Sequence, residues 1–141
     1  MYPFKNIVIS GGGAKMICLG GTIQELEIRG ILSNLIRFAG TSSGSFVATV
    51  LCLGYKSNEI TEMLLNIDMS KFVNVSKIYI KKIYKLFHKY GYSAGSNSSN
   101  YIKQVISKKT GNPDITFREL YDKNNKELVI TVVNLSKDKI I

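Results

Sequence analysis

The sequence predicts an α/β fold on a mainly parallel sheet, and three features carry that prediction. An apolar, β-branched run, Asn6-Ile7-Val8-Ile9-Ser10, ends at Gly11-Gly12-Gly13. A helix-period segment then leads to a second apolar stretch, Leu35-Ile36-Arg37-Phe38-Ala39, which runs directly into Gly40-Thr41-Ser42-Ser43-Gly44 and a small, apolar segment, Ser45-Phe46-Val47-Ala48-Thr49-Val50-Leu51. A third run, Glu127-Leu128-Val129-Ile130-Thr131-Val132-Val133-Asn134, is again largely apolar and β-branched, as parallel strands covered on both faces are.

In chain order, residues 6–10 form a strand that the three glycines terminate. A helix follows over residues 16–29, with Ile17, Ile23 and Ile28 spaced around its turns and Gly30 as its stop. The second strand covers residues 34–39, and the helix after Ser42 closes at Gly54. Ser57 caps a helix carrying Ile60, Met63 and Leu64. A lysine-rich helix is expected over 76–89 and another over 98–109, before the loop Gly111-Asn112-Pro113-Asp114. Thr116 then caps a short helix over 117–121, and residues 127–134 make a core strand. The strand, helix, strand unit over 6–39 has the length of a right-handed crossover, so its strands should be parallel and close, with their C-terminal ends at one sheet edge. That places the glycine loop beside Ser42, about thirty residues away in sequence.

Composition narrows the class further. The 141 residues, 45% of them hydrophobic, fit one domain with a real core. No apolar run approaches the roughly 20 residues that span a bilayer, and Met1-Tyr2-Pro3-Phe4-Lys5 lacks a signal peptide's apolar core, so a cytosolic location is expected. Cys18 and Cys52 sit in apolar helical segments without metal-ligand spacing, which predicts free, buried thiols. With one histidine, His88, neither a Cys/His metal cluster nor a cofactor is expected. The net charge of +9 is densest at Lys77, Lys81, Lys82, Lys85 and Lys89, on a segment whose apolar residues 80, 83, 84 and 87 share one helical face. An ordinary solvated surface helix fits this pattern, and so does peripheral contact with an anionic membrane. No nucleic-acid reading motif accompanies the charge, so no nucleic-acid partner is expected.

The chemistry centres on Ser42. A strand running into a sharp turn and then a helix is the setting of a nucleophile elbow, where flanking glycines let neighbouring backbone approach and the helix start supplies N–H groups. Gly91-Tyr92-Ser93-Ala94-Gly95 also fits G-x-S-x-G, but a lysine-rich segment precedes it and the polar run Ser96-Asn97-Ser98-Ser99-Asn100 follows, so it reads as a turn. A glycine loop baring N–H groups beside an elbow serine is the layout of an oxyanion hole. A dinucleotide fingerprint fails because Met16 fills its third glycine position and Gly40-Thr41 replaces the acidic ribose ligand. A structural glycine turn with Lys15 on the surface stays open. Ser42, Asp68 and His88 stand in α/β-hydrolase order, yet His88 lies on the lysine-rich segment and too few strands precede the serine. A serine/carboxylate dyad is the simpler arrangement.

These residues resemble the patatin-like phospholipases. The loop Gly11-Gly12-Gly13-Ala14-Lys15-Met16, the mid-helix Gly20-Gly21, and the elbow Gly40-Thr41-Ser42-Ser43-Gly44-Ser45 occur in that family's order. Thr116-Phe117-Arg118-Glu119-Leu120 and the strand from Glu127 extend the likeness over nearly the whole chain. The resemblance implies a three-layer α/β/α sandwich and a Ser/Asp dyad that hydrolyses acyl esters of phospholipids or neutral lipids. By position, Ser42 is then the nucleophile, the N–H groups of Gly12 and Gly13 bind the oxyanion, and Lys15 is the basic residue of the loop. On physical grounds Ser43 N–H is a further donor. Two departures stand out. Met16 replaces the loop's last glycine, and the Asp-Gly-Gly or Asp-Gly-Ala that supplies the family's dyad base does not occur. Asp68, Asp114, Asp122 and Asp138 all lack that context. Residues 1–141 therefore read as a single, partial, C-terminally truncated domain, whose open sheet edge a protein partner or further chain would cover. The expected function is lipid acyl hydrolysis, and the alternative is an inactive fragment that binds lipid surfaces or a protein.

Overall fold

The computed structural model describes residues 3–68, 95–134 and 139–140. Strands β1 (Asn6–Ile9), β2 (Arg37–Gly40) and β3 (Glu127–Ile130) form a parallel sheet in that order, so the α/β class with a parallel sheet holds. The register aligns Ile7, Phe38 and Leu128, and, at the C-terminal ends, Ile9, Gly40 and Ile130. Side chains alternate across a strand, so these rows share one face while Val8, Ala39 and Val129 share the other. Phe38 is 2% exposed and Val8 80%, which identifies the first face as the one on the core. Helix α2 (Ser43–Cys52) packs on the sheet with Val47, Ala48, Val50 and Cys52 fully buried.

The first helical stretch starts differently from expectation. The chain enters a tight 3-10 helix, Gly13–Cys18, before α1 (Leu19–Ile28). Its opening residue, Gly13, has φ +54°, a conformation that costs a residue with a Cβ but not glycine. The 3-10 turns bury Met16 and leave Cys18 exposed, which corrects the expectation that both thiols are buried. Cys52 is buried, and burial pushes its thiol pKa up. Gly20 lets α1 approach α3 (Ser57–Asn66), since a Cβ there would lie 3.1 Å from Thr61 Oγ1. Ile23 of α1 and Ile60 and Leu64 of α3 join the sheet core, at roughly 1.5–3 kcal/mol for each buried side chain.

Lys56, not Ser57, is the cap residue of α3, because it carries the extended backbone of that position. The Glu59 carboxylate accepts its N–H at 2.8 Å, while the Ser57 hydroxyl donates to Glu27 of α1 instead. Helix α4 (Ser96–Thr110) is held by the Tyr55 hydroxyl, which donates to the Val105 carbonyl at 2.7 Å. Helix α5 (Phe117–Asn124) starts at Thr116 as expected. The Thr116 hydroxyl accepts the Glu119 N–H at 3.2 Å, and the Glu119 carboxylate accepts the Thr116 N–H at 2.8 Å. Asn124 then ties the end of α5 to α2 by donating to the Cys52 carbonyl at 2.9 Å.

The expected strand over 127–134 is two strands. β3 stops at Ile130, Thr131 N–H donates to the Gly40 carbonyl, and β4 (Val133–Asn134) pairs antiparallel with β5 (Lys139–Ile140). The lysine-rich segment with Lys77, Lys81, Lys82, Lys85, Lys89 and His88, the turn at Ser93, and Asp138 lie outside the described residues. Among the described residues no helix is long and apolar enough to cross a membrane, and no group of His, Cys, Asp or Glu is placed to hold a metal ion.

Candidate active site

The turn from β2 to α2 is built by close backbone packing. A Cβ on Gly40 would sit 2.5 Å from the Gly44 carbonyl oxygen and from Ser45 Cα, and one on Gly44 would overlap the carbonyl of Ile9. Both positions therefore require glycine for space, which is the physical content of their spacing around Ser42. Between them Ser42 has φ 54° and ψ −128°, an unusual backbone for a residue with a side chain. Such strain, of order 1–3 kcal/mol, persists only where surroundings over-determine it. The surroundings here are explicit. The Ser42 carbonyl accepts from Ser45 N–H at 2.9 Å and from the Ser45 hydroxyl, and Thr41 N–H donates to the Ile9 carbonyl at 3.2 Å. Thr41 and Thr131 share a hydroxyl hydrogen bond of 2.8 Å, which joins the turn to the chain after β3.

The glycine loop does lie beside this turn. A Cβ on Gly11 would meet Ser42 Cβ at 2.9 Å, and Gly12 N–H donates to Ser43 Oγ at 2.9 Å. Gly12 N–H is thus already engaged. Gly13 opens the 3-10 helix and Ser43 opens α2, so neither N–H has an intrahelical acceptor. Lys15 is exposed, and its own N–H donates to the Gly12 carbonyl at 3.1 Å.

Ser42, Ser43 and Gly13 line a cleft of about 460 Å³ whose other walls come mainly from α2, α4, α5 and β3. Met16 forms part of it, so the residue that replaces a loop glycine serves as cleft wall and core at once. The rest is mainly hydrocarbon, from Phe46 and Leu53 of α2, Val105 and Ile106 of α4, and Leu120 of α5. Sequence inspection did not find these walls. The spacing 102, 105, 106 marks an apolar face on α4, but nothing local says that it faces a serine sixty residues earlier.

No carboxylate or imidazole lines the cleft among the described residues. Asp114 pairs with Lys103 at 2.5 Å, Asp122 lies 3.9 Å from Arg118, and Asp68 lines a separate polar pocket with Asn66, Asn97 and Gln104.

Comparison with known proteins bears on the family and the fold. The family described as Patatin-like phospholipase matches residues 7–139. The chain is 32% identical over 133 residues to the uncharacterized protein R571 of Acanthamoeba polyphaga mimivirus, covering 94% of this chain and 42% of that one. It is 29% identical over 136 residues to the probable lipid hydrolase 463L of Invertebrate iridescent virus 6, covering 96% and 45%. Among solved structures it resembles VipD from Legionella pneumophila, with a TM-score of 0.63 at 19% identity over 97% of this chain and 38% of that one. The chain thus spans less than half the length of these relatives.

Proposed function

Given that this chain belongs to the patatin-like phospholipase family, we propose that it is a lipid acyl hydrolase whose nucleophile is Ser42. The observation that carries the proposal is the strained Ser42 at the strand-to-helix corner, opening onto an apolar cleft beside the helix-opening N–H groups of Gly13 and Ser43. In this mechanism Ser42 Oγ attacks the ester carbonyl carbon, and the oxygen that gains the negative charge is held by the Gly13 and Ser43 N–H groups. Each such donor is worth about 2.7–4 kcal/mol in the transition state. Collapse expels the lipid alcohol, which takes up the proton lost by Ser42, and water then hydrolyses the acyl-serine to the free acid.

Gly12 has a different part. Its N–H donates to Ser43 Oγ, which fixes the glycine loop against the first turn of α2 and so sets the distance between the two remaining donors. The proton-accepting group is a carboxylate by analogy with the family, supplied from outside the described cleft wall. Lacking a base, a rate lower by roughly 10²–10⁴-fold is expected.

The absence of a carboxylate from the cleft among the described residues favours a second reading, a lipid-binding protein without turnover. Peripheral membrane contact through Lys77, Lys81, Lys82, Lys85 and Lys89 serves either one. A serine-reactive alkyl phosphonate separates them. The hydrolase reading expects a covalent adduct on Ser42 and none on Ser93, read by peptide mass spectrometry. A folded sample that stays unlabelled while binding anionic vesicles in a salt-sensitive manner establishes the second reading.

A further inference from the structure

We infer that the cleft is a ruler for a single straight acyl chain of about thirteen carbons, with Thr49 part-way along it and Leu53 at its far end. This rests on the hydrolase reading for the position of the ester at Ser42, but its test does not require turnover. The residues of α2 and its two caps that line the cleft are Ser42, Ser43, Ser45, Phe46, Thr49 and Leu53, and all but Ser43 follow one helical face. The cleft therefore runs along the axis of α2 rather than across it. At 1.5 Å per residue, Thr49 lies about 10.5 Å and Leu53 about 16.5 Å from Ser42.

The sheet gives the same direction independently. Ile130 is level with Gly40, at the elbow end, and Leu128 is level with Phe38, about 6.6 Å nearer the strand starts. Both line the cleft. It descends from Ser42 between α2 and β3, with Val105 and Ile106 of α4 facing in. A staggered hydrocarbon with bonds of about 1.52 Å and angles near 111° advances about 1.25 Å per carbon. Some eight carbons then reach Thr49 and some thirteen reach Leu53.

The polar groups on the way favour hydrocarbon over a head group. Thr49 Oγ1 donates to the Ser45 carbonyl at 2.7 Å, the Ser45 hydroxyl donates to the Ser42 carbonyl, and Ser43 Oγ accepts from Gly12. Thr116 Oγ1 is taken by Glu119. Each hydroxyl beyond the nucleophile is engaged within the protein, and the remaining surface is apolar.

The test is titration calorimetry of the full chain with saturated fatty acids of six to eighteen carbons. Affinity should rise about fourfold per methylene until about thirteen carbons and then level, because further methylenes stay in water. Thr49→Phe should bring the plateau to about eight carbons, and Leu53→Ala should move it two or three carbons beyond thirteen. Circular dichroism checks that each variant is folded, and Leu53→Ala carries the test should Thr49→Phe fail to fold. Affinity that climbs unbroken to eighteen carbons, a plateau that neither folded variant moves, or no binding at any length overturns the ruler. Failure of the phosphonate to label Ser42, with the plateau intact, overturns the nucleophile alone.

Discussion

Replacing Ser42 by glycine should make the protein more stable than replacing it by alanine, the reverse of the usual order. Both variants lose the hydroxyl, so their difference isolates the backbone. At φ 54° and ψ −128° a residue with a Cβ is strained by about 1–3 kcal/mol, whereas glycine is not. Against this, glycine gives the unfolded chain extra freedom, worth about 0.5–1 kcal/mol. The net advantage of glycine is about 1 kcal/mol, or roughly 4 °C in Tm for a domain of this size. The same pair of substitutions at Ser45, inside α2, supplies the control. There alanine should win by about 0.5–1 kcal/mol, because helical backbone carries no such strain. Urea unfolding monitored by circular dichroism measures all four variants. If Ser42→Ala equals or exceeds Ser42→Gly while the Ser45 pair behaves normally, the corner is not strained and the elbow reasoning fails.

Two other outcomes follow from the same geometry. Gly40→Ala should lower the unfolding free energy by about 3 kcal/mol, since its Cβ meets backbone that cannot rotate away, and a urea midpoint within error of the parent would contradict the packing described. Glu119 has its carboxyl pKa lowered, first by the Thr116 N–H and then by the Thr116 hydroxyl. A carboxylate depressed in the folded state adds stability above its unfolded pKa, and that contribution disappears as pH falls through the folded value. Stability should therefore decline from about pH 5 downward, and Glu119→Gln should flatten that decline in urea melts. An unchanged acid limb in the variant would show that the cap plays no part in it.

What the sequence revealed depended on how local each cause was. Gly40 was legible because its packing against Gly44 and Ser45 is confined to one turn, and Thr116 with Glu119 because both halves of the cap lie three residues apart, whereas the space that Gly44 must leave is for the distant Ile9 carbonyl. The glycine loop was placed beside Ser42 by the geometry of a crossover alone, and Gly12 and Ser43 do meet. The engagement of Gly12 N–H was not foreseen, since it follows from a rotamer of Ser43. Local periodicity also misplaced Cys18, because the 3-10 turns after Gly13 rotate that residue off the face an α-helix would have buried. The break in the last strand has no local signal in the apolar run 127–134: Thr131 N–H still donates to the Gly40 carbonyl, and the chain then pairs with residues 139–140 instead. The cleft walls on α4 and α5 are a product of assembly and have no signature near Ser42.

The open face of the sheet bears on how the protein behaves at the bench. Val8 is 80% exposed and Val129 49%, on a parallel sheet whose strands are paired in register. Dyes that brighten in hydrocarbon surroundings would find such a site before any melting begins. A thermal-shift screen run with one would start bright and lose contrast, and a ligand that displaced the dye would mimic stabilisation. Native fluorescence from the tyrosines, or calorimetry, reads the same transition without that artefact.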